Sequence, residues 1–551
     1  MKRIGKTLLV LWLLMGAAGT MCAQNTISYN VKRALEAAGA QDYDTGLSFL
    51  AQELEENPTN GYAHAYVAAI CEMAGYKSAV FTYSKRALKY LPKNEKDLCA
   101  MVEALQAEIY EQADDTAKAI EHYRKAVNYN ISNPKYYGYL SNLLRDKKDY
   151  EELYLLGDGM VNKIKGLNKE PLGYVIIMEG LNGLKRYEEV LPYAEKGLKL
   201  KDVNKYGQGR MHVSKADALY GLKRNDEALA ESMQAARLGL TTPLQQMIDL
   251  ADSTNMQQIL DSLEAGFAGE PTQNLWLLAE SDIYARQGNY IQAIYQLLRA
   301  SKVEENAYAY GTAGQYAVHN MGNPELAEQM YRKALKKDST DAKAWCMLAD
   351  LYHDLGRYED ALRTVNHCIS LDPEQKEAKI SLTIRARIYR SMHNYELALT
   401  DYYRALVSEQ DNDTWSNIVE TYRVLGDTMC VRLTTEMALR EQAPDVRTEL
   451  YLAIGDTAKA VEGAQKMVRR ENSASQHYNA ACVYAQLGMQ QEAMEQFELS
   501  LRYGMRNFYH IAWDSDLDGI RMLPEFDALV KEYKTISERD NAELEQLMSN
   551  L

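Results

Sequence analysis

Between residues 344 and 373 the chain reads AWCMLADLYHDLGRYEDALRTVNHCISLDP, and its apolar and small positions recur at helical spacing. Trp345, Leu348, Ala349 and Tyr352 form one stripe. Tyr358, Ala361, Val365, Cys368 and Ile369 form a second, with Gly356 between the two and Pro373 at the end. Steps of three and four residues put each stripe on one helix face. The pattern therefore predicts two amphipathic helices joined by a tight turn at Gly356 and stopped by Pro373. Small side chains at Ala349, Ala361 and Cys368 predict that the two helices approach closely.

The same arrangement recurs along the chain. LYHDLGRYEDALRTV is echoed by IYARQGNYIQAIYQL, VYAQLGMQQEAMEQF and IYRSMHNYELALTDY. Small and aromatic residues pair in register at Ala119 with Tyr123, Ala327 with Tyr331, Ala398 with Tyr402 and Ala493 with Phe497. Weaker copies are anchored at Tyr43, Tyr150, Tyr187 and Ala228. The full pattern, W-x2-L-A-x2-Y-x3-G-x-Y-x2-A-x6-C-x4-P, resembles the tetratricopeptide repeat, with about twelve units of roughly 34 residues. The resemblance implies an all-α fold, a right-handed superhelical solenoid of helix–turn–helix repeats, with the first helix of each unit lining the concave face. Residues 24–238 read as an N-terminal array and 272–504 as a C-terminal array. Residues 239–271 read as an irregular helical pair or degenerate repeat, and 505–551 as a helical cap.

The chain has 551 residues, scarce Pro, and 40 Tyr against 6 Phe, a ring type suited to helices packed on one side and wet on the other. At its start Lys2, Arg3 and Lys6 precede LLVLWLLMGAAG and MCAQ. A basic segment, a short apolar run and small residues read as a secretory signal over residues 1–23. The expected compartment is therefore the periplasm. A lipid anchor on Cys22 is an alternative, weakened by Met21 where a small residue is wanted, and secretion is another. The net charge is −15, and cleavage would remove three bases and no acid. Such a surface disfavours nucleic acid and anionic membrane, and no later apolar run predicts a membrane span.

The repeat register nominates groove positions. With Trp345 as position 4, positions 9 and 12 lie one turn apart on the concave face. In the first half these are Glu108 and Glu111, Asn142 and Arg145, Glu179 and Asn182, Asp217 and Tyr220. In the second half they are Tyr316 and His319, Asp350 and His353, Arg387 and Arg390, Glu420 and Arg423. The second set is the candidate partner-binding groove. Arg387 and Arg390 suit a carboxylate of an acidic partner segment, because guanidinium forks match carboxylates in pairs; the competing reading pairs them with neighbouring acids of the stack. The carboxylate clamp of some tetratricopeptide modules is absent, since Lys32 is followed by Leu35 where Asn is needed.

The His and Cys residues of the opening segment read as scaffold. Cys368 takes the position held by Ala126, Ala334 and Ala405 elsewhere, and Cys346 is placed on the groove side with His353. No metal or cofactor is expected. One motif competes: Asp514, Asp516, Asp518, Gly519 and Glu525 fit the D-x-D-x-D-G-x5-E calcium loop. However, WDSDLDGIRMLPEFDALVKEY also resembles the tail that closes tetratricopeptide arrays, in which an Arg and a Phe dock on the last helix. Nucleophile-elbow, P-loop, zinc-protease and dinucleotide signatures are missing, so the expectation is no enzyme. The reading is a protein-interaction scaffold or adaptor of the bacterial cell envelope that binds a protein or peptide in its groove. A glycan-binding component of an envelope uptake system is the alternative.

Overall fold

The computed structural model describes residues 27–201, 203–251, 255–371, 379–408, 412–441 and 448–551. Residues 1–23, read above as a secretory signal, with Cys22 among them, and Pro373 lie outside the described residues. Among the described residues the regular structure is helical, and successive helices pack as antiparallel pairs. No helix among them is long and apolar enough to cross a membrane. The chain divides into two compact units, residues 1–249 and 250–551.

The predicted pair is present as helices Ala342–Asp354 and Tyr358–Leu371. Gly356 takes φ +69°, and Arg357 donates its N–H to the Tyr352 carbonyl at 2.8 Å, closing the first helix while turning the chain. Elsewhere Asp114, Lys148 and His393 hold the same left-handed position. A following Asp or Asn then caps the second helix, as Asp115 does by accepting from the Lys118 N–H. Ala349, Ala361 and Cys368 are buried where the helices meet. So are all four small–aromatic pairs read from the repeat. Burying an aromatic ring beside an Ala gives each of these four repeats its own stretch of core.

Cys346 is a correction to the sequence reading. It is buried inside the hairpin with its Sγ 3.5 Å from Cys368 Sγ.

Within residues 239–271, helix Thr242–Asp249 packs on Asn225–Arg237, and helix Met256–Gly269 packs on Leu275–Arg286. The division between the two units falls between them.

The second unit closes on itself. Its last helix, Pro524–Ser549, packs against helix Tyr290–Val303 and buries Leu544 in the core around Ala317, Met330 and Leu348. Asn541 donates to the Met321 carbonyl at 2.9 Å and accepts from Asn323 at 3.0 Å. Arg521 and Phe526 dock as the tail resemblance implied. Phe526 stacks on Phe497 with centroids 4.7 Å apart, and Arg521 donates to the carbonyls of Ile511 and Ala512 at 2.9 Å.

Candidate functional site

A cavity of about 900 Å³ lies in the second unit. The repeat helices contribute Tyr290, His319, Asp350, Asp354 and Arg387 to its wall, and the C-terminal segment contributes Tyr478, Arg506 and His510. The segment enters through backbone and side-chain contacts alike. Arg506 donates its backbone N–H to the His319 carbonyl at 2.7 Å, and Asn320 donates to the Gly504 carbonyl at 3.1 Å. Trp513 donates through Nε1 to the Asp354 carbonyl at 3.2 Å.

The structure places the predicted groove residues as follows. Tyr316 tilts against Tyr290 with centroids 5.4 Å apart, and burial pushes its phenol up to about 12. His319 is open to the cavity, but protein surrounds that cavity and the desolvation lowers its pKa. Asp350 holds Arg387 in an ion pair between neighbouring repeats. His353 is only 3% exposed; its Nε2 lies 2.9 Å from Ser391 Oγ, and Trp513 meets its ring edge-on. Glu420 and Arg423 pair one turn apart at 2.7 Å. Arg390 and Arg423 are also within electrostatic reach of Asp516.

One acid of the chain's own C-terminal segment, Asp516, is therefore near Arg390 and Arg423. The competing reading of the arginines is the one observed at Arg387. Sequence spacing nominated these positions but not the residues that meet them, since Trp513, His510 and Asp516 come from outside the repeats.

The four carboxylates of the calcium-loop pattern do not converge. Asp514 accepts from the Tyr478 hydroxyl at 2.6 Å and faces His510. Asp516 is pushed up to about 6, chiefly by burial and by Asp514 and Glu420 beside it. Asp518 pairs with Arg521, and Glu525 is exposed in the first turn of Pro524–Ser549. The Asp-rich loop acts here as a docking element.

Asp354 was not singled out from the sequence, yet it is the hub of this region. It is buried, and burial alone would raise its carboxyl; His353, His510 and Asn507 outweigh that effect and hold it well below the usual range. His510 lies between Asp354 and Asp514, which push its imidazole up to about 10 against the opposing effect of burial. The signal that was present, an Asp immediately after the groove position His353, is too common on helices to single out.

In the first unit the groove positions form a polar ladder. Arg145 donates to Glu179 at 2.6 Å and to Asn142 at 3.0 Å, and Arg210 pairs with the same Glu179. Asn182 donates to the Ser214 carbonyl at 2.7 Å. Asp217 is pushed up to about 6 by burial and by Glu179.

Models of the tetratricopeptide repeat match residues 330–363, 104–130 and 477–503. The chain carries tetratricopeptide repeats. The matched segments fall on the hairpins that supply Asp350 and His353, Glu108 and Glu111, and Tyr478. The chain is 26% identical over 148 residues to human protein O-mannosyl-transferase TMTC1, covering 25% of this chain and 15% of that relative's length. Among solved structures it is similar to yeast Tom70, at 14% identity and TM-score 0.34, covering 80% of this chain and 96% of that one. It is also similar to PilF of Pseudomonas aeruginosa, at 16% identity and TM-score 0.29, covering 38% of this chain and 96% of that one. A repeat architecture of this kind is that of a protein-interaction scaffold.

Proposed function

We propose that this tetratricopeptide-repeat chain is an exported adaptor of the bacterial cell envelope that holds a protein partner in its repeat groove. One observation carries the binding mode. The groove of the second unit already accommodates a segment of the chain itself, Arg506–Asp518 with its short helix Phe508–Trp513, through carbonyl, carboxylate and aromatic contacts. A partner segment offering an acidic side chain and an aromatic would meet the same chemistry. Arg423, half exposed beside Glu420, together with Arg390 is the entry for such a segment. The envelope assignment is supported by the basic-then-apolar composition of residues 1–23. The repeat groove and the absence of recognised catalytic motifs both favour binding over catalysis.

The test is in-cell crosslinking of the full chain followed by mass spectrometry, beside an Arg390→Ala/Arg423→Ala variant. A defined envelope protein recovered with the parent and lost with the variant is the expected result. Recovery of no specific protein, together with specific binding on a glycan array, would overturn the adaptor reading.

A further inference from the structure

The last turn of helix Ala342–Asp354 places Asp350, His353 and Asp354 on one face, with ligand atoms within 4.8 Å of one another. The acids alone would be unremarked surface chemistry. What distinguishes the cluster is His353, buried at 3% exposure, whose Nδ1 has no hydrogen-bond partner. The atom nearest in charge is Asp354 Oδ1, at 3.6 Å.

A second imidazole stands in the same relation to the same oxygen. His510 Nδ1, on helix Phe508–Trp513, is also 3.6 Å from Asp354 Oδ1. An N–H···O hydrogen bond spans about 2.7–3.2 Å, so neither contact is one. Bonds of about 2.1 Å to a tetrahedral ion place its ligand atoms about 3.4 Å apart. Each nitrogen thus stands from that one oxygen at about the spacing of two ligands on one ion.

The surroundings are those of a supported site. Asn507 donates to the other oxygen of Asp354 at 2.6 Å, Ser391 holds His353 Nε2, and Asp514 faces His510 Nε2 at 3.5 Å. The Trp513 ring meets both imidazoles edge-on, at 5.2 and 4.8 Å, and fixes their planes. Such outer contacts orient imidazole and carboxylate ligands towards an ion. Arg387 takes only Oδ1 of Asp350, and Asp354 and Asp514 lie to either side of His510.

We propose that His353, Asp354 and His510, with Asp350 at the cavity side, bind a divalent first-row transition ion such as Zn²⁺. Mixed imidazole and carboxylate ligands favour this class over Ca²⁺ or Mg²⁺. The ion joins a repeat helix to the C-terminal segment. The site is independent of partner binding at Arg390 and Arg423.

The experiment titrates the chelator-treated full chain with Co²⁺ alone and with Zn²⁺ alone. One equivalent of Co²⁺ is expected to give the intense visible bands of a four-coordinate ion and to quench Trp513 fluorescence. Zn²⁺ is expected to displace it and raise Tm. His353→Gln/His510→Gln should lose all three responses. Because those changes remove buried rings, His510→Cys serves as the second variant and should add a thiolate-to-cobalt charge-transfer band. The proposal is overturned if Co²⁺ shows only weak six-coordinate bands. It is equally overturned if binding survives both His variants, or disappears in Cys346→Ser/Cys368→Ser, which would assign the ion to the neighbouring thiol pair.

Discussion

The side-chain amide of Asn507 donates to Asp354 Oδ2 at 2.6 Å, although 153 residues separate them, and both side chains are buried. This bond fastens the C-terminal segment to the wall of the groove. Asn507→Ala leaves a buried carboxylate short of a donor, and a hydrogen bond to a charged group contributes about 1.5–3 kcal/mol. The variant should unfold at lower urea with an unchanged slope, as followed by tryptophan fluorescence. A midpoint equal to the parent's would show that the bond contributes nothing.

Glu280 supplies a pH dependence. It is 1% exposed, and burial raises its carboxyl from 4.5 to about 7, with Arg299 opposing and Glu264 adding. The native state therefore keeps a proton that the unfolded chain releases near 4.5. Stability is full below that value, falls as pH rises towards about 7, and levels off above it. Glu280→Gln should flatten this profile and gain about 2 kcal/mol in mildly alkaline buffer, with little change in acid. Thermal melts across the range check it, and a variant less stable in alkali would mean the carboxylate is charged and paired.

Phe526 stacks flat on Phe497, and both rings are buried. Phe526→Ala should destabilise the second unit by about 3–5 kcal/mol. Limited proteolysis is the readout. New cleavage between Asp518 and Pro524 is expected, and a parent-like pattern would show that the tail is held from elsewhere.

At Gly519 a Cβ would stand 2.2 Å from the Ala485 carbonyl oxygen, so the chain can approach helix Ala474–Gln486 only without a side chain. Gly519→Ala should shift the Asp514–Arg521 turn and cost about 1–3 kcal/mol. Hydrogen exchange of the Ile520 and Leu517 amides should accelerate. Exchange unchanged from the parent would place the slack in the loop.

Much of the architecture was legible because it is written many times over. Ala349, Tyr352, Ala361 and Cys368 recur as types at fixed intervals, and the physics of close helix packing admits few other residues there. The turn at Gly356 was legible for the same reason, since one residue per hairpin must take a left-handed backbone. What filled the groove was not. Arg387 pairs with Asp350, whereas Arg390 and Arg423 face Asp516, and nothing in the spacing tells these outcomes apart. The DSDLDG stretch shows the limit from the other side: a run of acids with a Gly fits the calcium-loop pattern as well as a docking turn until Ala485 is seen against Gly519. His510 and Trp513 lie beyond the last repeat, where no periodicity marks their role.

The docking of Pro524–Ser549 on Tyr290–Val303 has a consequence for the order of events during synthesis. Each repeat needs only its neighbour to fold, so the hairpins from Leu275 onward can form as they leave the ribosome, at about 5–20 residues per second. The helix that shuts the unit emerges after all of them. Until then the wall bearing His319, Asp350 and Arg387 stands uncovered, and whatever the nascent chain meets in that interval reaches it before Arg506 and Trp513 do.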